Sequence, residues 1–162
     1  LAVTEPIVYA QGSLAYLSVK PKDFTQGMKV LKDENITKVA IANPKTAPYG
    51  TAAKEALENA DLYEALKEKF VHAESISQTV TYAMTAADIG FIAKASLFSP
   101  QMSHFKKGIN WSEVDESLYR PIDQGMVILK KGEGSSEVKA FYDFILSQEA
   151  REILKNFGYK VK

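Results

Sequence analysis

Short runs rich in β-forming residues alternate along this chain with longer segments of helical periodicity. Ser13 to Val19 and Lys38 to Ala42 predict two strands. Further strands are predicted at Val71 to Ala73, Asp88 to Ala93 and Gly125 to Lys130, with amphipathic helices after most of them. This alternation is typical of an α/β domain with a mostly parallel sheet, because parallel strands are joined by helical crossovers.

Two of the predicted strands lead through a loop directly into a helix. The loop Asn43 to Gly50 contains two prolines and a glycine, and the loop Glu74 to Ser77 contains two serines. A helix N-terminus presents N–H groups without helical partners and about half a positive charge, so it can bind an anion without Lys or Arg. The candidate ligand-binding residues are therefore Pro48, Tyr49, Gly50, Ser75, Ile76 and Ser77.

A purely structural role for these residues is an open alternative. Ser75 and Gln78 form a capping-box pattern, and a serine in this position more often caps a helix than binds a ligand. The prolines and Gly50 are also ordinary turn residues. Spacing along the chain does not establish that the two loops lie together.

Other segments give local expectations. Asp61 and Glu64 form a second capping-box pattern, which predicts the start of a short helix. The polar stretch that follows Ala93 and ends near Tyr119 predicts a surface excursion. Ser136 and Ser147 are the predicted caps of the last two helices. The inward-facing residues of those helices are expected to be Val138, Phe141, Tyr142, Ile145, Leu146, Ala150, Ile153, Leu154 and Phe157.

Composition argues against several functional classes. The 20 basic and 20 acidic residues balance, so the chain has no electrostatic footprint for nucleic acid, and no nucleic-acid partner is expected. With no cysteine and two unpaired histidines, a thiolate nucleophile or a bound zinc or iron ion is not expected. The sequence contains no apolar run of membrane-spanning length and no signal-like start.

Catalysis has one weak candidate. His72, Glu74 and Ser75 contain the residue types of a hydrolytic triad, but close neighbours in sequence seldom face each other as a triad requires. No catalytic residue is therefore expected, and a small Ser-dependent hydrolase is the less favoured alternative.

Several motifs resemble those of one protein family. Ala42–Ala53, ANPKTAPYGTAA, resembles the A-N-P-x-x-A-P-Y-G-x-A-A segment of periplasmic molybdate-binding proteins, the substrate-binding components of molybdate ABC transporters. Tyr9–Leu14 is similar to the Y-A-x-G-x-L start of that family's second lobe, and Ala87–Ala93 to its A-D-x-G-F-V-A strand. Tyr119–Gln124 is similar to the H-x-P-I-x-Q return, and Val138–Tyr159 to the final helices. The resemblance extends over almost the whole chain.

The resemblance implies a periplasmic-binding-protein-like α/β fold of type II, the Venus flytrap, with one complete lobe and the C-terminal return segment of the other. Residues 1–12 are then a segment of the first lobe or hinge, 13–118 the second lobe, and 119–162 the return strand and C-terminal helices of the first lobe. The start of the first lobe is expected upstream of Leu1, which is not an initiator Met. Exposed apolar surface on this chain predicts a tendency to self-associate.

The resemblance also implies a function. The ligand would be molybdate or tungstate, held through its oxygens by backbone N–H groups and hydroxyls with no cofactor and no metal-ligating side chains. The N–H groups of Tyr49 and Ile76 match family ligand contacts, whereas Ala93 stands where some members have a Tyr hydroxyl. The implied partner is the membrane permease of an ABC transporter, and the implied location is periplasmic or at the cell surface. An oxyanion-sensing domain of a transcription regulator is the main alternative, because it shares this fold and these motifs.

Overall fold

The computed structural model describes residues 1–161 and divides the chain into two compact units. One unit is Ser13–Ile122, and the other joins Leu1–Gly12 to the chain from Asp123 onward. In chain order the strands are β1 (Ile7–Gly12), β2 (Leu14–Leu17), β3 (Val39–Ala42), β4 (Phe70–Ala73), β5 (Ile89–Ala93), β6 (Trp111–Glu113) and β7 (Ile122–Met126). The α-helices are α1 (Pro48–Asn59), α2 (Tyr63–Leu66), α3 (Ile76–Thr85), α4 (Ser136–Ile145) and α5 (Gln148–Asn156).

The Ser13–Ile122 unit is built on a five-stranded sheet in the order β4-β3-β5-β2-β6. β3 pairs in parallel with β4 and β5, whereas β2 is antiparallel to β5 and β6. The predicted α/β class is confirmed, and the sheet is mixed where a mostly parallel one was expected. The sequence pattern could not distinguish a mixed from a mostly parallel sheet. Every residue of β2, β3 and β5 is buried, and strands buried on both faces show no alternation of polar and apolar residues.

Both faces of this sheet are covered. Tyr16 and Phe91 belong to a large cluster on one face, where their rings meet edge to face with centroids 5.9 Å apart and α1 supplies the helical layer. Leu17 and Ile92, one position further along the same strands, belong to a second cluster, to which α3 contributes Ala83. Alternate strand residues thus place α1 and α3 on opposite faces of the sheet.

The segment after β5 is not the surface excursion that its polarity predicts. Short 3-10 turns at Lys94–Phe98 and Pro100–Met102 bury Leu97 and Met102, and Phe105 is buried beside them in the second cluster. The prediction was wrong because the apolar residues of 3-10 turns follow neither the helical nor the strand period.

The turn between α1 and α2 also differs from its prediction. Asp61 has a positive φ of 55° and does not cap α2. Instead its N–H donates to the Glu58 carbonyl at 3.0 Å, and the Leu62 N–H donates to the Leu57 carbonyl at 2.8 Å. This pair of bonds is a Schellman motif, so Asp61 ends α1 rather than starting the next helix.

The second unit contains a two-stranded β1-β7 sheet and the helices α4 and α5. β7 lies earlier than the predicted strand at Gly125 to Lys130. The cap of α4 is Ser135, one residue before the predicted Ser136, and its Oγ accepts from the Val138 N–H at 3.3 Å. The predicted cap of α5 is confirmed, since the Ser147 Oγ accepts from the Ala150 N–H at 3.2 Å.

The expected inward packing of α4 and α5 is wrong for four of the nine residues named, which are exposed, and four others are only partly buried. No residue of α4 is buried within the described chain, and Phe141 is 65% exposed. On α5, Ala150 is buried, but Ile153 and Phe157 are 46% and 47% exposed. Periodicity identifies the apolar face of a helix but not the element that covers it. Within residues 1–161, none of the helices has the length and apolar character needed to cross a bilayer.

Candidate functional site

The two candidate loops leave the sheet side by side. Ala42 and Ala73 are the last residues of β3 and β4 and face each other in the parallel register. One residue later, the Asn43 N–H donates to the Ala73 carbonyl at 2.7 Å. Neighbouring strands lie about 4.8 Å apart. The loops that lead into α1 and α3 therefore start from adjacent positions on the carboxyl edge of the parallel strands, where open α/β sheets bind ligands.

Asn43 organises the first loop. Its carbonyl accepts from the N–H groups of Thr46 and Ala47 at 3.1 and 2.9 Å, and its side-chain oxygen accepts from the Lys45 N–H at 3.0 Å. The Thr51 hydroxyl donates back to the Pro44 carbonyl at 2.9 Å. The loop is thus held in shape by its own bonds, which lowers the entropic cost of ordering it around a ligand.

Helix α1 begins with Pro48, which has no N–H, and its hydrogen-bond ladder starts where the Thr51 N–H donates to the Ala47 carbonyl at 3.0 Å. The Tyr49 side chain is only 9% exposed and belongs to the main core, so it anchors the first turn. Within residues 1–161 the Gly50 N–H has no hydrogen-bond partner. This turn therefore offers a backbone donor at the sheet edge.

Gly50 is required by packing and not by turn geometry. A Cβ built at this position would lie 2.3 Å from the Ala42 carbonyl oxygen and 2.8 Å from the Asn43 carbonyl carbon. Only glycine lets the start of α1 approach the end of β3 so closely. Gly50 therefore fixes how far the helix N-terminus stands from the sheet edge.

Helix α3 begins with the predicted capping box. The Ser75 Oγ accepts from the Gln78 N–H at 3.2 Å, and the Gln78 Oε1 accepts from the Glu74 N–H at 2.7 Å. The helical ladder starts where the Thr79 N–H donates to the Ser75 carbonyl at 3.0 Å. The Ser75 hydroxyl thus has a structural role.

The cap does not use the first two backbone N–H groups of α3. Across the described part of the chain, the N–H groups of Ile76 and Ser77 have no hydrogen-bond partner. The Ser77 side chain is exposed, whereas Ile76 packs its side chain against the main core. α1 and α3 have 12 and 10 residues, so each contributes the full partial charge of a helix N-terminus.

The structure thus places all six predicted residues just beyond the paired carboxyl ends of β3 and β4, three at each helix start. A cavity of about 650 Å³ borders the first loop, but none of the six candidate residues lines it. Its lining residues are Asn43, Pro44, Lys45, Thr51, Lys54, Glu55, Glu58, Tyr63 and His72.

Ala93, the last residue of β5, lies on the same edge of the sheet and supplies no hydroxyl. In the described residues no group of three or more side chains is arranged to hold a metal ion.

The three residues of the hydrolase alternative do not form a triad. His72 lies on β4 with its ring near that of Phe70, at a centroid distance of 6.4 Å. The Ser75 hydroxyl is engaged with the Gln78 N–H. Among residues 1–161, His72, Glu74 and Ser75 share no hydrogen bond, so they do not form the linked nucleophile and base of a triad.

Sequence reasoning missed the contribution of Asn43. An Asn that precedes Pro after a strand is a typical start of an Asx turn, so a signal was present in the sequence. The bonds from Thr51 and Gln78 that close the two loops also depend on side chains outside the six candidates.

Comparison with known proteins relates the whole chain to one family. The family described as bacterial extracellular solute-binding protein matches residues 1–160. The molybdate-binding protein ModA of Rhodobacter capsulatus is 39% identical over 152 residues, which are 93% of this chain and 58% of that protein. ModA of Azotobacter vinelandii is 38% identical, again over 93% of this chain and over 59% of the relative. The chain therefore spans less than two thirds of the length of these relatives.

A solved structure shows the same relationship. The periplasmic molybdate-binding protein of Azotobacter vinelandii superposes with a TM-score of 0.86 at 31% identity. The alignment covers 99% of this chain and 69% of that one.

Proposed function

The chain belongs to the bacterial extracellular solute-binding protein family, and from that membership we propose that it binds a tetrahedral oxyanion, molybdate or tungstate, at the sheet edge defined by Ala42 and Ala73. The family match and the structural similarity confirm the expected periplasmic-binding-protein-like fold and the resemblance to molybdate-binding proteins. A family of solute-binding proteins also favours a binding role over catalysis.

The observation that carries the proposal is the start of α1 and α3 from paired positions on neighbouring parallel strands. Two helix N-termini on one edge give several N–H donors and two partial positive charges without any side-chain cation. The proposed contacts are the N–H groups of Tyr49 and Ile76, with Gly50 and Ser77 beside them. Pro48 and Ser75 shape the two helix starts, and the Ser75 and Ser77 hydroxyls lie next to the donors.

A tetrahedral oxyanion suits this arrangement chemically. Its four oxygens accept hydrogen bonds but donate none, so they match N–H donors. A lysine ammonium is strongly hydrated and must lose that water to bind the anion, a cost that backbone N–H groups largely avoid. Charge-assisted bonds of this kind contribute about 1.5 to 3 kcal/mol each. Because the donors belong to backbone that the Asn43 and Ser75 networks already hold, few groups need ordering on binding.

The biological role that we propose is delivery of the anion to the membrane permease of an ABC transporter, in the periplasm or at the cell surface. The names of the relatives, molybdate-binding proteins, support the ligand class. We also propose that Ser13–Ile122 corresponds to the second lobe of the flytrap and that Leu1–Gly12 and the chain from Asp123 onward belong to the other.

Calorimetric titration with molybdate, tungstate and sulfate, each against a sodium chloride blank of equal ionic strength, tests the ligand class. We expect saturable binding of molybdate or tungstate, weaker binding of the smaller sulfate, and a matching rise in thermal midpoint, since a ligand of the folded state stabilises it by mass action. Absence of binding by all three anions would contradict the proposal for this chain.

A further inference from the structure

We propose that Arg120 is a positioning residue that clamps α1, and with it one half of the oxyanion site, to the segment that leads into β7. The inference rests on the proposed function for its ligand but concerns residues that do not touch the anion. Neither the resemblance nor the candidate site assigns a role to Arg120 or to its partner Glu55.

The clamp uses both oxygens of one carboxylate. The Arg120 backbone N–H donates to the Glu55 Oε2 at 3.0 Å, and its Nε donates to the Oε1 at 2.8 Å, with the Nη2 also in contact. The Glu55 side chain is 20% exposed and that of Arg120 83% exposed. Exposed ion pairs usually contribute little, but here the carboxylate also fixes a backbone N–H and so the path of the chain.

A second bond from α1 reaches the same segment. Asn59, one helical turn after Glu55, donates from Nδ2 to the Leu118 carbonyl at 2.8 Å. Between the two anchored residues, Tyr119 is buried and its hydroxyl accepts from the Leu14 N–H at 3.0 Å. Three consecutive residues are thus fixed to α1 or to β2.

The two ends of α1 are therefore held by different contacts. At the N-terminal end the close approach of Gly50 to Ala42 sets the distance of the helix from the sheet. At the other end, Glu55 and Asn59 hold the helix against sliding along its axis. A helix moves as a rigid rod, so a shift at Glu55 displaces the N–H donors of the first turn, where errors of about 1 Å weaken a preorganised site.

The clamped segment also continues directly into β7, within which the chain leaves the Ser13–Ile122 unit. Coupling between two sites is reciprocal. If the clamp transmits the position of α1, anion binding must also slow hydrogen exchange at the Arg120 N–H, which donates to Glu55.

The test compares Arg120→Ala with Lys54→Ala in the full chain. Lys54 also lies on α1 and pairs with Glu58 at 3.5 Å, so its removal deletes one positive charge and one exposed ion pair without touching the clamp. We expect Arg120→Ala to weaken molybdate binding about two- to five-fold, to speed amide exchange in the first turn of α1, and to leave the fold intact. Lys54→Ala should do neither, and Arg120→Lys should restore part of the loss.

Hydrogen exchange of the anion-free variants decides the inference independently of the ligand. Faster exchange at Thr51, whose N–H donates to the Ala47 carbonyl, in Arg120→Ala but not in Lys54→Ala supports the clamp even if the unmodified chain binds no anion, a result that would overturn the proposed function alone. Equal exchange in the two variants overturns the clamp, and so does equal anion affinity in a chain that binds.

Discussion

Ala42 and Ala73 end neighbouring parallel strands and lie opposite each other in the register, so the two loops that follow them begin side by side. Two ordinary strand-to-helix loops therefore lie next to each other, and the backbone N–H donors of two helix starts lie at one edge of the sheet. The Asn43 turn, the Ser75 cap and the close approach of Gly50 then fix the backbone of the two loops within a few residues of this pair.

Gly50→Ala should destabilise the fold by about 1 to 3 kcal/mol, because the new methyl group would overlap the Ala42 carbonyl and push α1 away from β3. The measurement is chemical denaturation, with anion affinity determined in parallel and expected to fall. Gly125→Ala is the matched control, since its Cβ would meet nothing closer than 3.7 Å. Equal stability of the two variants would show that the helix can move without cost.

Ser75→Ala should cost about 1 kcal/mol of stability through loss of the α3 cap, and should weaken anion binding because the first turn then frays. Ser147→Ala removes an equivalent cap from α5 and should cost a similar amount without changing anion affinity. The hydrolase alternative makes a different prediction, namely that the unmodified chain turns over an ester and Ser75→Ala does not. Detectable turnover by the unmodified chain would refute a purely binding role.

The clamp should respond to acid in a defined direction. Its bonds to Arg120 hold the pKa of the Glu55 carboxyl below its usual value. A carboxylate with a lowered pKa stabilises the fold above the ordinary pKa of Glu, near 4.3, and this contribution is lost as the pH falls through the lowered value.

We therefore expect the thermal midpoint of Glu55→Gln to lie below that of the unmodified chain at pH 6 to 7 and to converge with it in acid. Glu58→Gln, which removes a charge one turn away on the same helix face, controls for general electrostatics. A gap between Glu55→Gln and the unmodified chain that is as wide at pH 3 as at pH 7 would contradict this explanation.

The apolar face of α4 and α5 should cause self-association. Phe141, Ile153 and Phe157 are each about half exposed or more, which is unusual for aromatic and branched apolar side chains. Light scattering at tens of micromolar should show species larger than the monomer, and Phe141→Glu should reduce them. Phe98→Glu changes a 42% exposed phenylalanine in the other unit and should have little effect. A monodisperse monomer of the unmodified chain would argue against this expectation.

Local pattern predicted the parts of the fold that depend on local chemistry. The Ser75 and Ser147 caps are confirmed because a cap needs only a hydroxyl and a helix after it. Asp61 shows the limit, since the same residue type that caps a helix start also tolerates the left-handed conformation that ends one. Local pattern alone did not distinguish these two roles.

Features that depend on tertiary contacts were not predictable in the same way. The six candidate residues were identified on their chemistry, but only the strand order showed that their loops are neighbours. Glycine is required at position 50 because α1 packs very close to the end of β3. That distance cannot be read from residue spacing along the chain. The exposure of Phe141 was not predicted, because helical periodicity identifies the apolar face of a helix but not whether another element packs against that face.

Titration of Ile76→Pro with molybdate or tungstate tests whether backbone N–H groups at these helix starts bind the anion. Proline is favoured at the first position of a helix, and Ser75 already has the extended backbone, φ −143° and ψ 162°, that a residue before proline adopts. The substitution therefore deletes one donor while keeping the helix. Ile76→Ala retains the N–H, and Gln148→Pro makes the same backbone change at the start of α5.

Ile76→Pro should lower the affinity at least about ten-fold, the equivalent of one charge-assisted hydrogen bond, while Ile76→Ala and Gln148→Pro should bind nearly as the unmodified chain does. Equal affinity of Ile76→Pro and Ile76→Ala would contradict this prediction.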